Sequence, residues 1–325
     1  MTATRRSLLA VPALAALAAP YQPARAQNFP SRPIRLLVGF APGGATDIAA
    51  RLLQPLLGEA LGQSIVVENR SGGGGNVATE LLMQSAPDGH TVMLASPGQL
   101  VVNPVLNPRF DFDAVRDTAP IGQTTSSPLI LVVPAASPYR DAQALVAAAR
   151  AQPGRLNYAS AGVGSSMHIA GEMLKAFGGL QIEHVPYRGS GPAVTDLIAG
   201  KVDFMIDSVS TTATHIRNGV LRALAQTGSE PFEHFPGIPL LADVVPGVVL
   251  TTWLGLVGPA GLPAPVLARL ASVLGDAVRS PGFAQRLRDL GSQAYWAGPE
   301  AFAAHLVAER RRAADVVQRA GIRLE

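Results

Sequence analysis

The chain has 325 residues, 48% of them hydrophobic and 15% charged, enough apolar material for two domains. Its 26 basic and 23 acidic residues give a formal charge of +3, and it has no cysteine. The missing thiols exclude a disulfide scaffold, thiolate metal sites, a cysteine nucleophile and a lipidated N-terminal cysteine.

Residues 1–26 have the order of a secretory signal peptide. Arg5 and Arg6 form a basic start, Leu8–Ala19 an apolar stretch interrupted by Pro12, and Ala24-Arg25-Ala26 a cleavage pattern before Gln27. Thr4–Leu9 also approximates a twin-arginine signal; an ordinary export signal can carry two arginines, so both routes stay open. The segment holds Arg5, Arg6 and Arg25 and no acidic residue, so cleavage leaves 23 basic and 23 acidic residues. A neutral mature chain removes the simplest support for binding nucleic acid or an anionic membrane. Val244–Val257, the longest later apolar run, is broken by Pro246, Gly247 and Gly255, too short for a bilayer. The expected product is a soluble periplasmic protein.

Ile34–Phe40 reads as a buried strand ending in the turn Pro42-Gly43-Gly44. Thr46 or Asp47 is expected to cap the next helix, Ile48–Leu61. A strand at Ser64–Glu68, a run of four glycines, a helix over 77–85 and a strand at Thr91–Ala95 complete a β-α-β-α-β series, which argues for a mainly parallel sheet. The Pro-rich stretch Asn103–Pro120 breaks the rhythm. A second series then runs through strands at Pro128–Val133, Leu156–Ala159, Glu183–Pro186 and Val202–Ile206, with helices at Ala142–Ala151, Met167–Phe177 and Ala193–Ala199 between them. Trp253–Val257 is one more strand, and Pro265–Val278 and Pro299–Ala320 are helical. The C-terminal region lacks a complete α/β set and can return to cover the first domain, which gives two interleaved α/β domains joined by two crossings.

Familiar catalytic motifs fail on inspection. Gly75 is followed by Asn76-Val77, so the glycines are not a P-loop. Gly73-x-Gly75-x-x-Ala78 fits a dinucleotide fingerprint, yet the next strand ends in Ser96 where an acidic residue should meet the ribose. No G-x-S-x-G occurs, Ser165, Ser166 and His168 are neighbours on one helix start and not a triad, and no histidines stand at metal-binding spacing. His90, His184, His215 and His234 read as loop or surface residues. No cofactor and no metal are expected.

What remains is a set of small-residue loops, each after a strand and before a helix: Pro42–Asp47, Ser71–Asn76, Ser96–Gln99, Ala161–Ser166 and Tyr187–Gly191. In a parallel sheet these lie at the carboxyl ends of strands, where ligands bind. Helix starts offer free N–H groups to anions, and glycine lets a ligand approach the backbone. Apart from Arg188 and Asp47 the loops carry no charge, which favours a small carboxylate over a phosphate.

The stretches "RPIRLLVGFAPGGATDIAAR", "VVENRSGGGGN", "SAPDGHTVMLAS", "YASAGVGSSMHIAGEML", "HVPYRGSGPAVTDLIAGKVDFMIDS" and "WLGLVGPAGLP" follow one another in an order that resembles the Bug proteins. These are the extracytoplasmic solute receptors of the tripartite tricarboxylate transporter type. The resemblance covers essentially the whole mature chain. It implies a type II periplasmic-binding-protein fold, in which two α/β domains enclose an interdomain cleft and are joined by a two-stranded hinge at Pro128–Val133 and Trp253–Val257. Domain I would be 27–125 plus 251–325, and domain II 126–250. It further implies a monomer that binds a small carboxylic acid such as a dicarboxylate, an amino acid or an aromatic acid, and that serves membrane transporter subunits.

Carried over from the family, the ligand contacts are Gly44, Ala45, Thr46 and Asp47 in the first loop, Gly75 and Asn76 in the second, and Ser96 with Gly98 in the third. Domain II would add Gly164, Ser165, Ser166, His168, Tyr187, Gly189 and Asp207, the last a candidate partner for an amino group, or equally a helix cap or an acceptor for a water or hydroxyl. The chain departs from the family's usual wording at Ser71 (proline), Gly73 (alanine), Asn76-Val77-Ala78-Thr79 (Asn-Ile-Gly-Ala) and Ser96-Pro97 (Thr-Asn). The alternatives are an exported α/β hydrolase or dehydrogenase, or the same receptor serving a sensor protein.

Overall fold

Apolar β-branched and leucine residues make Ile34–Val38 a strand, β1, buried along almost its whole length. The computed structural model describes residues 29–107 and 110–322; the expected signal peptide lies outside them. Helix α1 (Ala45–Leu61) begins one turn earlier than its apolar spacing predicts. Its N-cap is Gly44 and not Thr46 or Asp47, which sit inside the first turn. Asp47 still acts on the helix start, because its Oδ2 accepts from the Gly43 N–H at 3.0 Å. Then follow β2 (Ile65–Asn69), a single 3-10 turn at Gly73–Gly75, α2 (Asn76–Met83), β3 (Thr91–Ala95), a wide helical turn at Gly98–Val102 and the short α3 (Asn103–Leu106).

β4 (Thr118–Pro134) is seventeen residues long and begins inside the stretch that reads as a break. It is followed by α4 (Ala142–Ala151), β5 (Asn157–Ser160), α5 (Ser166–Gly178), β6 (Glu183–Pro186), α6 (Ser190–Ile198), β7 (Phe204–Ser208), α7 (Val209–Arg217) and β8 (Leu221–Gln226). The chain returns through β9 (Thr251–Pro259), α8 (Ala264–Arg279), α9 (Pro281–Asp289), β10 (Ala294–Ala297) and α10 (Pro299–Ala320). α7, α9, β8 and β10 have no counterpart in the expected elements. β10 is only four residues, and the mean pattern of α9 is polar.

The strands form two sheets that share β4. In the first the order is β2-β1-β3-β9-β4, with β10 on the other side of β4; β1, β2 and β3 are parallel and β9 is antiparallel to its neighbours. In the second the order is β6-β5-β7-β4, with β8 beyond; β5, β6 and β7 are parallel. The handover is abrupt. β4 pairs with β9 as far as Pro128, opposite Thr251, and with β7 from Leu129 onward. Every parallel strand therefore aims its carboxyl end, and the loop after it, toward the junction of the two halves.

Two placements hold the C-terminal return in position. The Trp253 ring on β9 meets Phe302 of α10 edge to face, with centroids 5.5 Å apart, and both side chains are buried. Gly255 lies under the Phe302 ring, where a Cβ would collide with it. His90 corrects the expectation of a loop or surface histidine: it is buried, edge-on to Phe29, and its Nε2 accepts from the Ser31 N–H at 3.1 Å. His184, also expected at the surface, is partly buried in a ring stack described below. Among the described residues no helix is long and apolar enough to cross a membrane.

Phe302→Ala would leave a cavity over Gly255 and remove the ring that pins α10 to β9. Its expected cost is about 3–5 kcal/mol of unfolding free energy, read from urea denaturation, and a loss below about 1 kcal/mol would contradict this packing.

Candidate ligand-binding site

Between the halves lies a cavity of about 710 Å³, part of it open to solvent. Four helix starts reach it: α1 through Gly44, Ala45 and Thr46, α5 through Ser165, Ser166 and Met167, α6 through Ser190, and α7 through Ser208, Val209 and Ser210. Ser96 at the end of β3 completes the rim, and Thr125, Ser127 and Thr252 on β4 and β9 form the floor with Ser292. Eleven of the twenty-one lining residues are serine or threonine and none is charged, so the cavity's polarity comes from hydroxyls and helix N–H groups. The starts of α1, α6 and α7 have no side-chain cap, which leaves their first N–H groups for another acceptor. Helix dipoles add positive potential at the same ends. The arrangement suits a small anion; no nucleophile and base are paired on it. Phe40, Ile48, Leu254 and Leu287 supply apolar wall.

Of the residues expected at the site, Gly44, Ala45, Thr46, Ser96, Ser165 and Ser166 line this cavity. Asp47 faces the other way, accepting from Gly43 N–H, Arg51 Nε and Asn69 Nδ2 at 3.0 Å each. Burial acts to raise its pKa, but these hydrogen bonds outweigh it and hold the carboxyl below its ordinary value. Asn76 is not on the cavity either. Its Oδ1 accepts from Asn103 Nδ2 at 2.7 Å, and the same nitrogen reaches Gly74 O at 3.2 Å. Gly75 packs against the Gln99 side chain.

Gly98, Gly164, Gly189 and the glycine run serve a different purpose: they let the halves touch backbone to backbone. A Cβ at Gly98 would lie 2.7 Å from Gly164 O, one at Gly189 2.9 Å from Ala41 N, and one at Gly191 2.5 Å from Pro42 O. A Cβ at Gly74 (φ 63°) would run into Val163 O, and one at Gly164 (φ 80°) into Asn103 Oδ1. The Ala41 N–H donates to Arg188 O across the same seam at 2.9 Å.

His168 supports the loop from behind. Its Nδ1 accepts from the Gly164 N–H at 3.2 Å, and its ring stacks on His184 at 4.4 Å, which stacks on Tyr158 at 4.9 Å. Burial holds both imidazoles down to about 4; Lys175 lowers both further and Glu172 opposes the shift at His184, so both are neutral near pH 7. Tyr187 turns outward, its hydroxyl donating to Asp196 at 2.9 Å, and with Arg188 it borders a separate recess against the glycine run.

Asp207 is wholly buried just behind the cavity wall. Its Oδ1 accepts from Ser190 Oγ at 2.7 Å and from Ser208 N–H at 2.8 Å, and its Oδ2 has no partner among the described residues. Ser190 and Ser208 themselves line the cavity. The residues that sequence reasoning passed over are Phe40, Thr125, Ser127, Ser190, Ser208, Ser210, Thr252 and Ser292. Ser190 lies within the Tyr187–Gly191 loop named from the sequence, although not among its expected contacts, and Ser208 and Ser210 carry the same strand-to-helix signal. Thr125, Ser127 and Thr252 lie in polar strand segments that read as loop or strand end, and Ser292, whose Oγ is 2.9 Å from Ser127 Oγ, gives no local signal.

A family model described as the tripartite tricarboxylate transporter family receptor matches residues 49–322. Protein BugT of Bordetella pertussis is 34% identical over 305 residues, which are 93% of this chain and 94% of that protein. Among solved structures, that of Rpa4515 from R. palustris with adipate has a TM-score of 0.87 at 31% identity, covering 91% of this chain and 99% of that one. That of MatC (Rpa3494) from Rhodopseudomonas palustris with bound malate has a TM-score of 0.85 at 31% identity, covering 89% and 100%. With the sheet order above, these likenesses establish the two-domain α/β fold of periplasmic binding proteins.

Burial pushes the Asp207 carboxyl up to about 6, and the hydrogen bonds from Ser190 and Ser208 offset only part of the shift. A folded-state pKa raised above the unfolded value favours the fold below about pH 4, and that advantage is lost as pH rises through about 6. Asp207→Asn removes the titration, so its stability relative to the parent should increase between pH 4 and pH 7 in urea unfolding. Parallel pH profiles for the two proteins would contradict a buried, up-shifted carboxyl.

Proposed function

The chain belongs to the tripartite tricarboxylate transporter receptor family, whose members are solute-binding receptors and not enzymes, and on that premise we propose a specific role for it. It is exported to the periplasm, captures a small carboxylate between its halves, and offers the closed form to the membrane subunits of a tripartite tricarboxylate-type transporter. The observation that carries this reading is the convergence of four helix starts, from both halves, on a cavity without a charged side chain. A carboxylate there accepts N–H and hydroxyl hydrogen bonds and meets the positive ends of helix dipoles. The adipate and malate in the two R. palustris structures support the same ligand chemistry.

The halves correspond to domain I, 27–125 plus 251–325, and domain II, 126–250, except that Ser126–Pro128 still pair with β9 in the first sheet. Their hinge is the pair of crossings where β4 passes from β9 to β7, at Pro128 and Leu129, and where the chain enters β9 at Thr251. Bending there parts the glycine seam and opens the cavity. Within the site, Ala45 and Thr46 hold the carboxylate from domain I, and Ser165, Ser166 and Ser190 close over it from domain II.

Two substitutions test the reading. Ala45→Pro keeps α1, because proline is favoured at the first helical position and Gly44 already has the extended backbone (φ −82°, ψ 167°) that a following proline requires. It deletes one N–H at the cavity, so calorimetric affinity for the tighter binder of malate and adipate should fall about tenfold or more, and a change under about twofold would remove this helix start from the site. Gly74→Ala places a Cβ against Val163 O, so at saturating ligand the radius of gyration in small-angle scattering should stay near its unliganded value. Contraction equal to the parent's would show that the glycine seam does not govern closure.

A further inference from the structure

A second cavity of about 510 Å³, part of it open to solvent, lies behind Ser166, between the turn after β3, the start of α5, the chain leading into β9, and α10. Val101, Val102, Ile169, Leu250, Val316 and Val317 make most of its wall. Glu309 and Arg312, the charged lining residues among those described, pair with each other at 3.7 Å, and Glu309 also accepts from Trp253 Nε1 at 3.1 Å. The space therefore offers hydrocarbon contact, and its one cation among the described residues is already paired with Glu309.

The partition between the two cavities is one residue thick. Ser166 lines both, Ser96 lines the first and its neighbour Pro97 the second, and Thr252 and Thr251 divide in the same way. One hydrogen bond closes the partition, from Thr252 Oγ1 to Ser166 Oγ at 3.3 Å, long for two hydroxyls and therefore weak. Ser166 belongs to the second half and Thr252 to the first, so the partition crosses the same junction as the ligand cavity.

We propose that the second cavity receives the apolar end of the bound ligand. The carboxylate sits at the helix starts, and its hydrocarbon chain or ring passes between Ser166 and Thr252 toward Ile169 and Leu250. The ligand class is thus a carboxylic acid with an extended apolar body, as distinct from a compact hydroxy-diacid. This inference rests on the carboxylate-receptor reading above and narrows it.

The test is calorimetry with straight-chain monocarboxylates from propionate to octanoate. Once the chain passes the partition, affinity should rise about fourfold per added methylene. Ala313→Phe, which fills the second cavity from half-buried Ala313 on α10, should leave propionate affinity unchanged and abolish the gain for the longer acids. If the unsubstituted protein binds propionate and octanoate alike, the second cavity is a void of the hinge and the proposal falls while the carboxylate reading stands. If a folded Ala313→Phe protein keeps the full chain-length gain, the hydrocarbon runs elsewhere and the proposal falls in the same way. If no acid of the series, nor malate or adipate, binds, both readings fall together.

Discussion

An uncharged cavity can hold an anion only when several backbone donors reach it at once, and on the receptor reading that requirement governs how the two halves meet. Each parallel strand ends at the junction and starts a helix there, so the donors are set by topology and not by particular side chains. Bringing those helix starts together from opposite sides leaves no room for side chains between the loops. The seam is accordingly glycine against carbonyl at Gly74, Gly98, Gly164 and Gly191. A β-carbon at any of these positions would separate the helix starts by more than a hydrogen bond tolerates.

The floor of the cavity depends on a strand that does two jobs. The first half of β4, from Thr118 to Ser127, faces the cavity with Thr125 and Ser127, and it must also pair as strand with β9 and β10. Its buried hydroxyls satisfy both demands. Thr124 Oγ1 donates to Leu254 O at 3.1 Å, Thr125 Oγ1 accepts from Leu254 N–H at 3.1 Å, and Ser127 meets Ser292. The second half of β4, "LILVV", is apolar because it is buried between β7 and β8 in the other sheet. The change in composition near Pro128 thus coincides with the change of sheet.

That coincidence explains which parts of the molecule were legible in the sequence. The apolar runs of β1, β3 and the end of β4 announce buried strands, and several of the small-residue loops announce helix starts at the cavity between the halves. The polar segment Thr118–Ser127 gives no strand signal because strand periodicity is carried by hydrophobic residues, and here most buried positions hold threonine, serine, glutamine or glycine. Asn76 shows the complementary limit. Its place beside a glycine run suggests a ligand contact, but Asn103, twenty-seven residues away, takes its side chain and wedges against Gly164. Chain-local spacing reports which loops reach the junction; it does not report which of their side chains turn toward the cavity and which hold the other half in place. His168 is a similar case, since its value lies in an acceptor nitrogen offered to Gly164 from behind the wall.

The choice of donors also bears on release. A lysine at the site would keep much of its attraction for an anion as the halves part, because charge–charge attraction extends over a Debye length of about 8–10 Å at moderate salt. A backbone N–H loses most of its hydrogen bond within about 1 Å of added separation. Here the donors are divided, with α1 on one half and α5, α6 and α7 on the other, so opening withdraws one set entirely while leaving the other solvated. On the receptor reading, affinity is therefore a property of the closed state. On the same reading, a modest bend at Pro128 and Thr251 would convert a ligand held from both sides into one held weakly from one.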